Sequence, residues 1–136
     1  MRVVIDTTVL ISALLWKKKL TPLYHLINQC KITLCFSKAT LAELIKVVSY
    51  PHIAAKAEQE KIDLIKLIKH FSSKSILSQP LKIPDLIKVD RFDNHFLACA
   101  KASGASFIIS GDKHLLKLKE FQGIPIISPA EFLNAL

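Results

Sequence analysis

The chain has 136 residues, enough for one domain with a buried core that needs no disulfide or structural metal. Hydrophobic residues make up 51% of it and only three residues are glycine, which excludes a disordered, collagen-like or low-complexity protein. The formal net charge of +8 favours a polyanionic partner, because basic side chains that bind a phosphate backbone release its counterions. We therefore expect a single folded domain over residues 1–136.

The first half of the chain alternates apolar runs with segments of helical spacing. Val3–Ile5 and Ile32–Phe36 are rich in β-branched and aromatic residues and do not alternate with polar ones, which is typical of strands covered on both faces of a parallel sheet. Segments with the apolar spacing of a helix lie at 9–14, 23–27 and 41–48. The last of these is expected to end before Pro51, because proline disfavours the helical conformation in the preceding residue.

The second half continues the same pattern. We expect a more charged helix through 62–68, a short strand and a loop within 72–89, and a helix from about Asp93 to a C-terminal Gly104. Ser128 opens the last helix with the serine–proline–alanine–glutamate order of a capping box. Further strands are expected at Phe107–Ile109 and Pro125–Ile127. The order of elements predicts an α/β fold with a central, mostly parallel sheet flanked by helices.

The cysteines and the apolar start of the chain bear on cellular location. Cys30, Cys35 and Cys99 are odd in number, form no CxxC pair and lie in apolar segments, so we expect buried thiols in a reducing cytoplasm. The apolar start is interrupted by Asp6 and shows no cleavage site, which disfavours a secretory signal. No apolar run approaches the roughly 18 residues of a membrane span. A soluble, cytoplasmic protein is the expectation.

Two aspartates stand directly beyond predicted strands. Asp6 follows the first run, and Asp112 lies just past Phe107–Ile109. In open α/β sheets, ligands bind at the carboxyl ends of the strands, so these positions favour a functional site. Capping of the next helix is an equally good interpretation of Asp6 taken alone. Two such aspartates are harder to attribute to capping than one.

Glu43 and Asp93 complete a possible set of four acids. Glu43 has apolar neighbours in a predicted helix, and for a lone glutamate an exposed helix face is the commoner explanation. Asp93 begins a helix, where a carboxylate is favoured by the free amides and the helix dipole. If all four acids meet at one edge, their charges repel unless a cation neutralises them. Oxygen ligands suit Mg²⁺, for which Mn²⁺ can substitute.

Five segments of the chain form a recognisable series of motifs: Val4–Leu14, Thr40–Leu44, Asp90–Ala100, Ala105–Leu116 and Ile127–Leu133. In this order they resemble the motifs of the PIN-domain nucleases, in particular the bacterial and archaeal branch of toxins from toxin–antitoxin pairs. The resemblance implies a three-layer PIN-like fold and a Mg²⁺-dependent endoribonuclease. It also implies an RNA substrate, a homodimer and a small antitoxin protein as partner.

The same resemblance assigns the site residues. The metal ligands implied are Asp6, Glu43, Asp93 and Asp112. Thr8 stands where the branch most often has asparagine, in a position that supports the first aspartate, and Asn94 follows the third acid as the family expects. Arg91-Phe92 departs from the usual proline and small or acidic residue, which leaves Asp90 as an alternative to Asp93.

The sequence also offers basic side chains for RNA and leaves three other functions open. Lys17 to Lys19, Lys38, Lys46 and Lys113 are candidates for guiding RNA, and His95 and His114 for touching it. A first alternative keeps the fold as a catalytically silent RNA-binding or partner-binding module. A second is a phosphatase with an aspartyl-phosphate on Asp6, which favours another acid where this chain has Thr8. Catalysis by a histidine pair is a third, although no pairing is evident from the spacing.

Overall fold

The structure is a computed structural model that describes residues 1–16 and 20–136. The strands are β1 (Arg2–Ile5), β2 (Thr33–Ser37), β3 (Ile76–Ser78), β4 (Phe107–Ile109), β5 (Glu120–Phe121) and β6 (Ile124–Ile127). The α-helices are α1 (Thr7–Leu15), α2 (Thr21–Asn28), α3 (Lys38–Val48), α4 (Pro51–Gln59), α5 (Leu64–Ser72), α6 (Asn94–Ser103), α7 (Lys113–Leu118) and α8 (Pro129–Asn134). A short 3₁₀ helix, Arg91–Asp93, precedes α6.

The strands form one sheet in which β1 is central. Within the described residues the strand order is β3-β2-β1-β4-β6-β5. All neighbours pair in parallel except β5, which pairs antiparallel with β6. Val3 of β1 pairs with Leu34 on one side and with Phe107 on the other. The carboxyl ends of β1, β2 and β4 therefore lie along the same edge of the sheet.

Helices cover both faces of the sheet. Val3 and Ile5 belong to a core cluster with side chains of α1, α2, α3, α4, α5 and α8. Val4, between them, belongs to a second cluster with side chains of α6 and α7. Successive side chains of a strand point to opposite faces, so β1 contributes to two separate apolar layers. The predicted three-layer α/β fold with a mostly parallel sheet is confirmed.

The structure contains a helix after Pro51 that the sequence analysis did not predict. The helix predicted over 41–48 ends before Pro51 as expected, at Val48, but Pro51 is also the first residue of α4. Proline suits the first helical position because the amide that it lacks has no partner within the helix. The expected helix through 62–68 begins at Leu64, since Asp63 caps α5 through its side chain. The short elements α7 and β5 were not predicted.

The cysteine prediction is correct for two residues and wrong for one. Cys35 and Cys99 are buried, whereas Cys30 is exposed after the end of α2 with a left-handed φ of 56°. The nearest apolar residues in the sequence, Ile27 and Ile32, are buried, whereas the residues from Asn28 to Lys31 are exposed. Within residues 1–16 and 20–136, no helix has the length and hydropathy needed to cross a membrane.

Gly104 provides a direct test of the helix end. Its φ of +66° is left-handed, and an added Cβ would meet only the Arg2 guanidinium at 3.7 Å, so the cost of alanine comes from the backbone. Gly104→Ala is expected to lower the free energy of unfolding by about 1–2 kcal/mol in urea denaturation. Gly104→Asn should cost less, because asparagine tolerates this conformation. Equal stability of the two variants would contradict the explanation.

Candidate metal centre

The carboxyl edge of the sheet carries a cavity lined by acids. The cavity has a volume of about 340 Å³. The acidic residues that line it are Asp6, Glu43, Asp90, Asp93 and Asp112. We call this feature the acidic cavity. The four acids expected to meet, together with the alternative Asp90, therefore lie around one hollow.

Asp6 ends β1 and is held by three donors. Its Oδ1 accepts a hydrogen bond from the amide of Val9 at 2.8 Å, which caps α1. Its Oδ2 accepts from the Ser110 hydroxyl and from the amide of Gly111, the latter at 3.2 Å. Burial raises the pKa of Asp6 above its usual value, although these three hydrogen bonds act in the opposite direction. The carboxylate thus both caps a helix and faces the cavity.

Asp112 is held in a similar way beyond β4. Its Oδ1 accepts a hydrogen bond from the amide of His114 at 2.7 Å and caps α7. Its own amide donates to the Ser110 hydroxyl oxygen at 2.9 Å. Ser110 therefore bridges Asp6 and the backbone of Asp112, whose side chain is half-buried.

Asp93 is, with Asp6, one of the two buried acids of the cavity. It is 6% exposed, and its Oδ2 has no hydrogen-bond partner. Burial, followed by repulsion from Asp90, Asp112 and Asp6, raises the pKa of Asp93 to about 7. Asp90 is exposed and caps the 3₁₀ helix by accepting from the amide of Phe92 at 3.2 Å. The two acids share the cavity but not the same environment.

Glu43 and Thr8 come from the two helices that pack beside each other at this edge. Glu43 lies half-buried in α3, which contacts both α1 and α6. Thr8 is exposed in the first turn of α1 and lines the cavity. The hydroxyl that donates to Asp6 belongs to Ser110, which directly follows β4. Ser110 therefore makes the supporting contact that was expected of Thr8.

The charged side chains that line the cavity, among the described residues, are all acidic. Five of the chain's 11 acidic residues line it, and no described lining residue is a lysine, arginine or histidine. The ion pairs described elsewhere join Lys56 to Glu60 and Asp85 to Lys88 and Arg91, and none reaches a cavity acid. Neutralisation must therefore come from protons or from a cation in solution.

A divalent cation fits the oxygen ligands that the cavity offers, although the acidic side chains are not already arranged around a position for it. In the described part of the chain, no three histidine, cysteine, aspartate or glutamate side chains are arranged as a ready-made metal site. Oxygens of Asp6 and Asp112 are turned toward amide donors instead. Mg²⁺ keeps several of its waters and needs only one or two direct carboxylates. The unpartnered oxygen of Asp93 is the atom that such an ion or its water would satisfy.

Asn94, expected among the site residues, is directed away from the cavity. Its Oδ1 accepts from the amides of Leu86 and Ile87, both at 3.0 Å, and its Nδ2 donates to the carbonyls of Ile87 and Arg91. The buried amide is not among the residues lining the cavity. Asn94 instead fixes the loop before the 3₁₀ helix, and so acts on Asp90 and Asp93 through the backbone.

Ser110 is the site residue that the sequence-based reasoning missed. It is fully buried, directly follows β4 and precedes Asp112 by two positions. A small polar residue at a strand end, beside a glycine and an aspartate, was the available signal. Its contact with Asp6 spans 104 positions of the chain, which spacing alone does not reveal.

The basic candidates lie outside the cavity lining. Lys38, Lys46 and Lys113 are exposed, and Lys17 to Lys19 lie outside the described residues. Neither candidate histidine lines the cavity. The ring of His95 packs against that of Phe92, at 4.8 Å between centroids.

Fold and cavity together define an α/β protein with a carboxylate site beyond the carboxyl edge of its sheet. A family model described as the PIN domain matches residues 2–114, and the chain belongs to the PIN domain family. PIN domains are generally nucleases and usually use divalent metal ions. The chain is also similar to the crystal structure of PAE2754 from Pyrobaculum aerophilum, with a TM-score of 0.59 and 14% identity over 99% of this chain and 88% of that one. That likeness shows the fold alone. No curated protein matches the chain.

The pKa of Asp93 predicts an unusual dependence of stability on pH. The folded state holds this proton up to about pH 7, whereas the unfolded carboxyl releases it near 3.8, so the stabilisation is complete below 3.8 and is lost as pH rises toward 7. In urea unfolding of the metal-free protein, Asp93→Asn is expected to flatten this decline. Mg²⁺ should stabilise the wild type more at about pH 8 than at about pH 5, because it binds the ionised form. Equal slopes for both proteins would contradict the assignment.

Ser110→Ala should expose the role of the bridging hydroxyl. Loss of a hydrogen bond to the charged form of Asp6 is expected to raise the pKa of that carboxyl further, as followed by NMR titration of the carboxyl carbon. A hydrogen bond to a charged group contributes about 1.5–3 kcal/mol, so the free energy of unfolding above the pKa should fall by that order. Ser110→Thr keeps the hydroxyl and is the matched control. An unchanged Asp6 titration in the alanine variant would refute the contact.

Proposed function

We propose that the protein is an endoribonuclease that depends on Mg²⁺, or on Mn²⁺ in its place, and hydrolyses RNA phosphodiester bonds at the acidic cavity. The observation that carries the proposal is the gathering of five carboxylates around one hollow, with a buried Asp93 oxygen that has no partner. Family membership supports the same chemistry, since PIN domains are generally nucleases. The net charge of +8 supports a nucleic-acid substrate.

The proposed ligands are Asp6, Glu43, Asp93 and Asp112, with Asp90 contributing negative charge at the rim. When bound, the ion supplies an activated water and stabilises charge on the phosphate oxygens. Asp6 and Asp112 are already fixed by amide and hydroxyl donors, so their carboxylates need little reorganisation to bind. Asp93 ionises near neutral pH, which leaves its free oxygen open to a cation or to a water.

Two lysines stand where an RNA strand would approach this edge. Lys38 and Lys113 are the first residues of α3 and α7, the helices that begin beyond β2 and β4. Both side chains are exposed, as is that of Lys46 farther along α3. Because five acids occupy the cavity, the remaining surface is more basic than the net charge suggests. Electrostatic attraction there would steer RNA toward the cavity, and salt would weaken it.

We extend the proposal to the biological setting implied by the motif resemblance. The protein acts in the cytoplasm as the toxin of a toxin–antitoxin pair, forms a homodimer and is silenced by a small antitoxin protein. Support comes from the motifs that resemble this branch and from exposed apolar side chains such as Leu81, Leu86 and Val89, which suit a protein interface. Growth arrest on expression, relieved by the product of a neighbouring gene, would support this setting.

A second candidate is a PIN-fold module that binds RNA or a partner without cleaving RNA. The observation that favours it is the lack, among residues 1–16 and 20–136, of three acids arranged as a ready-made metal site. Against it stands the cost of keeping mutually repelling carboxylates around a partly desolvated hollow. Binding without cleavage of a varied RNA pool would select this candidate.

An RNA cleavage assay tests the proposed function. The wild type is expected to cut a pool of single-stranded and looped RNAs with Mg²⁺ or Mn²⁺ and to stop when EDTA is in excess. Asp6→Asn and Asp112→Asn should each reduce the cleavage rate by at least about 100-fold, because loss of a ligand exceeds the roughly 10–100-fold effect of its outer partners.

Glu58→Gln is the matched control for that assay. It makes the same carboxylate-to-amide change at an exposed position of α4, outside the cavity, and should leave the rate unchanged. Equal cleavage rates in all four proteins would contradict the assignment of Asp6 and Asp112 to the catalytic metal site. Full cleavage in excess EDTA would replace the metal mechanism with a metal-free one.

A further inference from the structure

An aromatic side chain stands among the carboxylates of the acidic cavity. Phe92 lies between Asp90 and Asp93 in the chain and lines the cavity with them. Its ring is half-buried, so part of it faces the hollow. The rest of the ring packs on the core, while the part that lines the cavity presents a flat, apolar surface beside the acids. A flat ligand group can stack on that surface.

The ring of Phe92 is held in place by α6. His95 packs against it with ring centroids 4.8 Å apart and planes tilted by 36°. Phe96 meets it edge-on at 5.7 Å and 80°. Both contacts come from the first turn of one helix, whose start is fixed by the Asn94 side chain. A ring that is held before binding costs less entropy when a partner stacks on it.

An RNA base has the chemistry that matches this arrangement. Unpaired bases stack on aromatic side chains, and single-stranded or looped RNA is recognised largely in this way. Phe92 is adjacent to Asp93, so a phosphate bound at the acids brings a flanking base within reach of the ring. The cavity volume of about 340 Å³ is at the low end of the range of roughly 300–1,000 Å³ for ligand sites, which favours a single nucleotide over a duplex.

We propose that Phe92, supported by His95 and Phe96, is the stacking platform for one unpaired base next to the phosphate bound in the acidic cavity. This inference rests on the proposed function and adds to it the residue that contacts one unpaired base of the RNA. Phe92 is a specificity residue, since it contacts a base and not the reacting atoms. His95 and Phe96 are positioning residues, because they act through the ring.

Phe92 also packs against the core cluster that contains Phe96 and Leu97, so its loss affects packing as well. A role confined to packing predicts lower stability and an equal loss of affinity for every RNA. A stacking role predicts that the loss depends on one particular base. The test must therefore vary the protein and the RNA together.

The experiment measures dissociation constants for a short single-stranded RNA and for versions of it that lack one base at each position in turn. All variants are made in the Asp112→Asn protein, so that the RNA stays intact during the measurement. Phe92→Ala is expected to weaken binding of the complete RNA by roughly tenfold, within the range for one base stacked on an aromatic ring. In protein that retains Phe92, removing one particular base from the RNA should weaken binding by the same roughly tenfold factor. In the Phe92→Ala variant, removing that base should have little further effect on the dissociation constant.

Three variants sharpen the result. Phe92→Tyr keeps the aromatic face and should retain the base-dependent affinity. Phe92→Leu keeps apolar packing, so it should unfold at nearly the wild-type temperature while losing the dependence on that base. Tyr50→Ala is the matched control, because it removes an exposed aromatic ring that lies 6.2 Å from the His52 ring but does not line the cavity. It should leave the dissociation constant of every RNA unchanged.

An unchanged affinity in Phe92→Ala would overturn the inference. So would a loss that is equal for every base-deleted RNA, which would indicate packing or a protein partner instead. The proposed nuclease function is tested separately, by measuring Mg²⁺-dependent RNA cleavage with protein that retains Asp112. Cleavage without base-dependent coupling at Phe92 defeats the stacking role alone, whereas coupling without cleavage supports stacking and defeats the nuclease proposal.

Discussion

The parallel pairing of β1 with both β2 and β4 is the constraint on which the site depends. Because these three strands run in the same direction, their carboxyl ends meet at one edge and deliver Asp6, Glu43 and Asp112 to the same hollow through the strand ends or the helix that follows. The antiparallel β5 lies at the far side of the sheet and adds nothing to that edge. Burial of both faces of β1 keeps the pairing in a single register, since a shift by one residue would exchange the two core layers.

Capping and site formation, which competed as interpretations of the aspartates, occur together. A carboxylate has two oxygens, and Asp6 uses one to cap α1 while the other meets donors at the end of β4. The helix start that follows each strand supplies free amides, and these amides lower the electrostatic cost of bringing acids together. Burial, followed by repulsion from the neighbouring acids, raises the pKa of Asp93 to about 7, and no hydrogen bond to its Oδ2 opposes that rise.

The surroundings of Asp93 are shaped by two side chains that are not acids, those of Asn94 and Phe92. Asn94 ties the loop at Leu86 and Ile87 to the start of α6, and this fixes where Asp90 and Asp93 enter the cavity. Phe92 lies between them with its ring held by α6. Of the Arg91-Phe92 pair, which departs from the pattern of the resembling family, Phe92 lines the cavity together with Asp90 and Asp93, and Arg91 does not. Acid position and cavity shape are set by different residues.

The sequence alone determined the fold class, the strands other than β5 and the helices other than α4 and α7, because apolar spacing and capping residues are local signals. The capping box at Ser128 and the left-handed Gly104 were readable for the same reason. Positions beyond strand ends singled out Asp6 and Asp112 in the same way, whereas Glu43 was assigned mainly from the family resemblance. Only the tertiary structure decided that Ser110 supports Asp6, that Asn94 turns to the backbone, and that Cys30 is exposed. Each of these depends on which residues become neighbours in space, or on which way a turn directs a side chain. Local periodicity carries no information about contacts between β1 and β4 across more than 100 residues, and there the packing of the sheet decides.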